Sequence, residues 1–184
     1  MLYPYVVMNM ARLDVLAEIK SDHTQVRDML LELIDVVSKR DAERALEILI
    51  RLDKLTGPHF RWEEESFYPA HEKIFGRQYL EYLLGVHDRI VRRGKELADI
   101  LSKGEITEEE AKVLPEIIRN EVLPHPIECE GITLLTTRLP KEELEKMGIE
   151  LERCRKEGIP LLQWGETIKD KARAERGFKA KALS

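Results

Sequence analysis

Apolar residues recur every three or four positions along most of the chain, which is the spacing of one face of an α-helix. The first such stripe comprises Leu13, Leu16, Ile19, His23, Val26, Leu30, Ile34 and Val37. Similar stripes run over about residues 41–71, 78–102 and 107–135. Four long helices with short connections predict an all-α protein, an antiparallel up-down-up-down four-helix bundle.

Local signals mark where these helices begin, bend and end. Residues 107–110 carry the pattern of a capping box, with threonine first and glutamate last, at the start of the fourth helix. Gly57-Pro58 lies inside the second stripe and predicts an interruption with a kink. Pro140 predicts the start of an additional C-terminal helix, and Gly158 predicts its end.

The C-terminal helix and the basic tail after it form a second expected region. We expect residues 1–139 to form the bundle and residues 140–184 to pack on it or to be partly mobile. Leu161 and Trp164 are expected to pack back on the bundle. Residues 169–181 hold six basic and two acidic residues, so we expect a solvated end. Docking of the C-terminal helix and basic tail on a protein partner is the alternative.

The bulk properties of the chain exclude several classes of protein. The formal net charge is −5 at pH 7, which argues against general nucleic-acid binding. No apolar run approaches the length of a membrane span, and residues 1–10 lack the basic start and the cleavage site of a signal peptide. Two cysteines, Cys129 and Cys154, do not make a disulfide framework. We therefore expect a cytoplasmic protein with neither nucleic acid nor membrane as a partner.

Four of the five histidines fall into two matching pairs. His23 is paired with His59, and His87 with His125, at nearly equal spacings. Each of the four lies within the apolar stripe of its own predicted helix. Mid-helix positions lie at one level in an antiparallel bundle, so the four imidazoles are expected to converge in the core. The sequence therefore predicts a buried metal site.

An acidic residue accompanies the second histidine of the first pair. Glu63 follows His59 by four residues, about one helical turn, so both face the same side. A carboxylate in that position can bridge two cations, and its charge offsets part of the desolvation cost of burying them. Imidazole together with carboxylate suits iron, manganese or zinc better than magnesium or calcium.

Three residues compete for the equivalent position after His125. On a regular helix Glu128 and Cys129 face the same side as His125, whereas Glu130 points away. A local π-bulge would turn Glu130 inward, and the nearby Gly131 favours such a distortion. We favour Glu130, with Glu128 and Cys129 as the alternatives. A thiol at Cys129 beside a metal would lose its proton easily and bind.

Other residues around these motifs are expected to have structural or surface roles. Trp62 and Phe67 are predicted to pack in the core. His71 has no counterpart in the other half of the chain and is expected at the surface. Glu64 and Glu65 are expected to be solvated, with a role next to the metal ligands as the alternative.

With these residues identified, the chain resembles the hemerythrin-like (HHE cation-binding) family. The resemblance covers roughly residues 10–137 and implies a non-haem di-iron centre, bridged by two carboxylates, in an up-down-up-down bundle. Manganese or zinc are the other metals that the ligand types allow. The family pattern of a lone histidine, His-x3-Glu, a further histidine, and a histidine with a later carboxylate falls on His23, on His59 with Glu63, on His87, and on His125 with Glu130.

Two departures from the family pattern bear on function. Oxygen-carrying hemerythrins have a second histidine four residues after the one on the third helix, but Val91 stands there after His87. Members with His-x3-Glu on the fourth helix have glutamate where this chain has Cys129. The resemblance therefore implies a site closer to the sensor, iron-handling and stress-response members.

We predict a binding or sensing protein whose ligand is O2, NO, another small diatomic molecule or iron itself. The histidine that a dedicated carrier has and this chain lacks leaves a coordination position for such a ligand. The alternative is a di-iron redox enzyme that acts on O2, peroxide or nitrogen oxides in a stress response. The sequence shows no obvious general acid or base beyond the expected ligands, which favours binding over turnover.

Overall fold

The computed structural model describes residues 14–175 and residue 177, and all regular secondary structure in this part of the chain is helical. Two five-residue π-helical turns, π1 (Glu63–Phe67) and π2 (Ile118–Val122), interrupt the α-helices. The α-helices are α1 (Val15–Ser38), α2 (Ala42–Trp62), α3 (Tyr68–Phe75), α4 (Arg77–Leu101), α5 (Glu108–Ile117), α6 (Pro124–Thr136), α7 (Lys141–Glu157), α8 (Leu161–Thr167) and α9 (Lys169–Glu175). The all-helical fold predicted from the apolar spacing is therefore confirmed.

Side-chain caps fix the beginnings of several helices. The Asp14 carboxylate accepts hydrogen bonds from the first backbone amides of α1, at 3.1 and 3.2 Å. Asp41 caps α2 in the same way. Thr107 and Glu110 form the predicted capping box of α5. Gly158 ends α7 in the left-handed conformation that glycine adopts at little cost, as its position in the sequence predicts.

The predicted interruption at Gly57-Pro58 is wrong, because α2 continues through both residues to Trp62. Gly57 instead allows the connection between α7 and α8 to approach α2 closely. A Cβ at this position would lie 2.2 Å from the Ile159 carbonyl oxygen and 2.5 Å from the Leu161 amide nitrogen. The connection between α7 and α8 therefore packs directly on the backbone of α2, and only glycine leaves room for it.

Two buried apolar clusters fill the ends of the bundle. Along α1, α2 and α4 one histidine lies between the residues of the two clusters, and His125 lies between Ile118 and Cys129 in the same way. The histidines therefore occupy the layer between the clusters. The first apolar cluster includes Val26, Leu30, Leu33 and Val37 of α1, Ala45, Ile48 and Leu52 of α2, and Leu97 and Leu101 of α4. The second apolar cluster includes Val15 and Ile19 of α1, Trp62 of α2, Leu80 and Leu83 of α4, Ile132 of α6, and Met147, Leu151 and Cys154 of α7.

The C-terminal helices pack on the bundle. Helix α7 contacts α1 and α2, and α8 contacts α2 and α4. Leu161 and Trp164 are buried, as expected, in a cluster with side chains of α4. The expected solvated end is wrong for α9, because Lys169 and Arg173 form ion pairs with Asp88. The rest of the predicted basic tail, residue 176 and residues 178–184, lies outside the described residues.

Across the described ranges, 14–175 and 177, no helix combines the length with the apolar character that a membrane span requires.

Candidate metal centre

The four paired histidines converge in the interior of the bundle. The Nε2 atoms of His23 on α1 and His59 on α2 lie 3.1 Å apart. The Nε2 atoms of His87 on α4 and His125 on α6 lie 3.0 Å apart. All four side chains are buried. The histidines that the sequence pairs are thus also paired in space.

Glu63 lies between the two histidine pairs. Its Oε1 lies 3.4 Å from His59 Nε2 and 3.8 Å from His23 Nε2. Its Oε2 lies 3.2 Å from His87 Nε2 and 3.8 Å from His125 Nε2. Since each oxygen faces one pair, a single buried carboxylate connects the two halves of the cluster.

The π-helical turn π1 brings a further residue to the cluster. The backbone amide of Tyr68 donates to the carbonyl of Glu63, so two residues five positions apart share a face. The Tyr68 hydroxyl lies 2.9 Å from His87 Nε2 and 3.4 Å from Glu63 Oε2. Tyr68 could not be predicted from the sequence, because a regular helix would turn a residue five positions after Glu63 away from it.

Cys129 is the residue of α6 that faces the cluster after His125. Its sulfur lies 3.6 Å from His125 Nδ1 and 3.2 Å from the Tyr68 hydroxyl. Helix α6 is a regular α-helix, so the position four residues after the histidine points to the same side. Two groups of side chains within ligating distance of one another result, one of His23, His59 and Glu63, the other of Glu63, His125 and Cys129.

The other two candidates on α6 lie outside the cluster. Glu130 is exposed and lines a surface groove that His23 also borders, but it belongs to neither group of candidate ligands. Glu128 is half-buried and accepts a hydrogen bond from the Tyr82 hydroxyl at 3.4 Å. The π-bulge predicted to turn Glu130 inward is wrong, because the π-helical turn of this segment ends at Val122, before the histidine.

Two buried carboxylates hold the outer ring nitrogens of one histidine in each pair. Asp22 Oδ2 accepts a hydrogen bond from His59 Nδ1 at 2.9 Å. Glu64 Oε1 accepts one from His87 Nδ1, also at 2.9 Å. With the proton on Nδ1, each ring directs the lone pair of Nε2 toward Glu63. The expectation that Glu64 is solvated is wrong, and Asp22 was not singled out in the sequence because nothing there indicates which histidine it meets.

The pKa values of the cluster reflect its buried charges. Burial disfavours ionised Glu63, but His59 and the other histidines hold its pKa well below the usual range. Burial also disfavours protonated His59, but Glu63 and Asp22 raise its pKa to about 10. Burial lowers the pKa of His125 to about 4. A proton on His59 thus supplies the positive charge that the Glu63 carboxylate needs, which is also the role of a bound cation.

The polar atoms of the cluster fit a pair of cations. Two Nε2 lone pairs directed at each other repel unless a proton or a metal ion lies between them. Glu63 Oε1 and His23 Nδ1 are buried and have no hydrogen-bond partner among the described residues. Imidazole, carboxylate and the thiol of Cys129 are ligands that iron, manganese and zinc accept. Burial raises the pKa of that thiol well above its ordinary value, so without a metal it is protonated.

An apolar cavity of about 100 Å³ adjoins the histidines. His23, His59 and His125 line it at the cluster. The rest of the lining is mostly apolar, with Leu30 and Leu52 among the apolar residues, and its polar members are Asp53, Thr56, Arg93 and Glu96. Phe60 also borders the cavity, and its ring stacks on His87 with 3.9 Å between centroids. The cluster is therefore adjacent to space that suits a small apolar molecule.

His71 is part of the core, so the expected surface location is wrong. Its side chain is buried, with Nδ1 donating to the Phe67 carbonyl at 2.7 Å and Nε2 lying 2.9 Å from Thr136 Oγ1. Glu65, also expected to be solvated, has a largely buried side chain that pairs with Arg61. Trp62 and Phe67 are fully buried, as predicted.

The sequence profile of the hemerythrin HHE cation binding domain matches residues 14–125. This match spans more than half of the chain and includes the four paired histidines and Glu63. Cys129 and helices α7 to α9 lie beyond its end. No curated protein and no solved structure matches the chain.

Proposed function

The chain belongs to the hemerythrin HHE cation-binding family, and from that membership we propose that it holds two iron ions around Glu63 and binds O2 or NO. The observation that carries the proposal is the position of Glu63, whose two oxygens face different histidine pairs at 3.4 and 3.2 Å. One carboxylate that serves both pairs is what a dinuclear centre requires.

The residues divide into two ligand sets. Cys129 lies beside the set that contains His87 and His125. It would complete this set as a thiolate, since a metal ion stabilises the deprotonated sulfur. Asp22 and Glu64 would keep the rings in their ligating orientation. His23, His59 and Glu63 Oε1 would hold one ion, and His87, His125 and Glu63 Oε2 the other.

An antiparallel up-down-up-down arrangement of α1, α2, α4 and α6 accounts for the convergence of the four histidines. The composition of the two core clusters supports it. One cluster combines the C-terminal half of α1 with the N-terminal half of α2, and the other combines the opposite halves. In that topology the histidine of each helix lies at mid-height, so all four meet at one level.

The ligand we propose is a small neutral diatomic molecule. Iron supplies a coordination position and an exchangeable electron for such a ligand. The apolar cavity next to His23, His59 and His125 favours O2 or NO over hydrated anions, which would lose their water on entry. Val91 is buried and cannot coordinate, so His87 has no histidine neighbour one turn later on α4.

Metal analysis and gas exposure test the proposal. The purified protein is expected to contain two iron ions per chain. The reduced protein should then develop a visible absorption band with O2 or NO that disappears when the gas is removed. A protein with neither iron, manganese nor zinc would overturn the metal assignment. A protein that contains iron but responds to neither gas would overturn the assignment of O2 or NO as the ligand.

A redox enzyme is the second candidate, and Tyr68 is the observation that favours it. Its hydroxyl contacts both His87 and Cys129. A phenol and a thiol beside a redox-active metal are groups that can be oxidised in turnover. Sustained consumption of peroxide by the iron-loaded protein, lost in Tyr68→Phe, would favour the enzyme over the reversible binding protein.

A further inference from the structure

Two histidines of the cluster share the same outer arrangement. The His59 ring donates to Asp22, and both oxygens of Asp22 lie 3.0 Å from Arg155 Nη2. The His87 ring donates to Glu64, whose two oxygens lie 2.5 and 2.7 Å from the Arg173 guanidinium. Each histidine pair thus has one arginine–carboxylate–histidine chain directed at it.

Both arginines come from beyond the part of the chain that the family profile matches. Arg155 lies on α7 and Arg173 on α9, whereas the match ends at residue 125. Arg155 also binds Glu18 of α1, and Arg173 also binds Asp88 of α4. The C-terminal helices are therefore attached to the bundle through the same residues that reach the histidines.

A buried carboxylate is costly unless its oxygens are paired and hydrogen-bonded. Without the guanidinium, Asp22 or Glu64 would turn toward water, and the histidine would lose its acceptor. The guanidinium supplies this charge with a fixed geometry, most completely at Glu64, where two of its nitrogens meet two oxygens. An acceptor held in this way keeps the proton on Nδ1 and leaves Nε2 for a cation.

We propose that Arg155 and Arg173 are positioning residues of the metal centre, each acting through one carboxylate on one histidine pair. The inference rests on the proposed function insofar as the cluster holds two cations. It makes the C-terminal segment a component of the centre. Arg155 serves the ion at His23 and His59, and Arg173 serves the ion at His87 and His125.

The separate assignment of the two arginines gives a specific expectation. Loss of an outer partner of a ligating histidine weakens metal binding by about 10- to 100-fold. Because each arginine acts through the carboxylate, Arg155→Ala is expected to weaken one of two binding steps by about 10-fold, the lower end of that range, and Arg173→Ala the other. A merely structural role of the arginines would weaken both steps in both variants.

A titration of the full-length metal-free protein with Co(II) measures these steps. Visible absorption of the bound cobalt reports each ion. The variants His23→Ala and His125→Ala, each expected to delete one ion, assign the two steps to the two pairs. Unfolding of each metal-free variant is measured in parallel, so a general loss of stability is detected independently of metal binding.

Three controls complete the experiment. Arg155→Lys and Arg173→Lys keep the positive charge and should recover part of the lost affinity. Arg173→Gln, which retains most of the side-chain length, carries the test if Arg173→Ala does not fold. Arg61→Ala is the matched control, because Arg61 is buried to a similar extent as Arg173 and pairs with Glu65 and Glu157. Both of its Co(II) steps should equal those of the wild type.

The outcomes separate this inference from the proposed function. A wild-type protein that binds two Co(II) ions, with both steps unchanged in both alanine variants, would overturn the inference alone. Equal weakening of both steps in each variant, with a matching loss of metal-free stability, would also overturn it in favour of a structural role. A wild-type protein that binds no Co(II) would overturn the proposed function, and this inference with it.

Discussion

Glu63 Oε2 lies 3.2 Å from His87 Nε2, and both side chains are fully buried. Glu63 lies in π1 and His87 on α4, with α3 between them in the chain, while the second oxygen of Glu63 faces the other histidine pair. The single carboxylate of Glu63 therefore contacts both histidine pairs. Each histidine pair, in contrast, faces one of its two oxygens.

This difference predicts unequal effects of two substitutions. Glu63→Gln is expected to remove both iron ions, because the neutral amide no longer offsets two buried cations. His23→Ala is expected to leave one iron ion, held by the opposite pair. Iron per chain after purification, measured by atomic emission, checks both. Retention of two ions by Glu63→Gln would contradict the bridging assignment.

The geometry of α6 predicts that Cys129, and not Glu130, contributes to the centre. Cys129→Ser is expected to lower iron content and to remove a thiolate-to-iron charge-transfer absorption band. Glu130→Gln is the matched control on the same helix and should change neither, since its side chain is exposed. A loss of iron in Glu130→Gln with no change in Cys129→Ser would reverse the assignment.

The apolar cavity predicts control of ligand access. Leu52 lines it and is buried, so Leu52→Phe would fill part of its volume. We expect slower association of NO with the reduced protein at unchanged iron content, measured by stopped-flow absorption. Leu31→Phe adds the same ring at a position that is 49% exposed and should leave the rate unchanged. Equal rates in the two variants would show that the ligand enters elsewhere.

The contact of Gly57 with the connection between α7 and α8 predicts that Gly57→Ala destabilises the protein, although alanine usually stabilises a helix relative to glycine. Alanine normally stabilises a helix interior by about 1 kcal/mol relative to glycine. At Gly57 the added methyl would meet backbone atoms at 2.2 and 2.5 Å, so we expect the free energy of unfolding to fall. Overpacking of this kind costs about 1–3 kcal/mol.

The matched control for that effect is Gly85 on α4, where an added Cβ meets nothing within 4 Å. Gly85→Ala is expected to raise the free energy of unfolding, by at most about 1 kcal/mol. Chemical denaturation of both variants, monitored by circular dichroism, checks the two signs. A stabilised Gly57→Ala would mean that the connection does not rest on α2.

The parts of the fold that depend on neighbouring residues could be predicted from the sequence. Helix periodicity and the capping box at Thr107 are local, and the position of each paired histidine within an apolar stripe follows from that periodicity. Glu63 was identified because four residues after His59 is one turn of a regular helix. These features need no knowledge of which distant segments meet.

The remaining features depend on irregular backbone or on distant contacts. The π-helical turn π1 brings Tyr68 onto the face of Glu63, and no residue pattern in that segment predicts such a turn. The same turn carries Glu64, whose arginine partner lies 109 positions later in the chain. The prediction of Glu130 as a ligand requires a π-bulge after His125, whereas the distortion lies before this histidine, in π2. Sequence spacing alone cannot fix where a helix widens.

His71 shows the same dependence on tertiary contacts, because its neighbours along the chain do not predict its burial. Its two ring nitrogens meet the Phe67 carbonyl and the Thr136 hydroxyl inside the bundle. Burial lowers the pKa of His71 below its ordinary value of 6.5, while the hydrogen bond to Phe67 opposes this effect. The folded state therefore holds the ring neutral at a pH where the unfolded state is already protonated.

This pKa shift predicts a pH-dependent contribution to stability. Between the lowered pKa of the folded state and 6.5, the unfolded chain binds more protons, so the free energy of unfolding falls as the pH falls through this window. His71→Gln has no such titration. The stability difference between wild type and His71→Gln should therefore be larger at neutral pH than in mild acid, in urea denaturation of both proteins. Because the other titrating groups are common to both, their contributions cancel in the difference. A difference that stays constant across this range would mean that the ring titrates alike in both states, and so that it is not enclosed between α3 and α6.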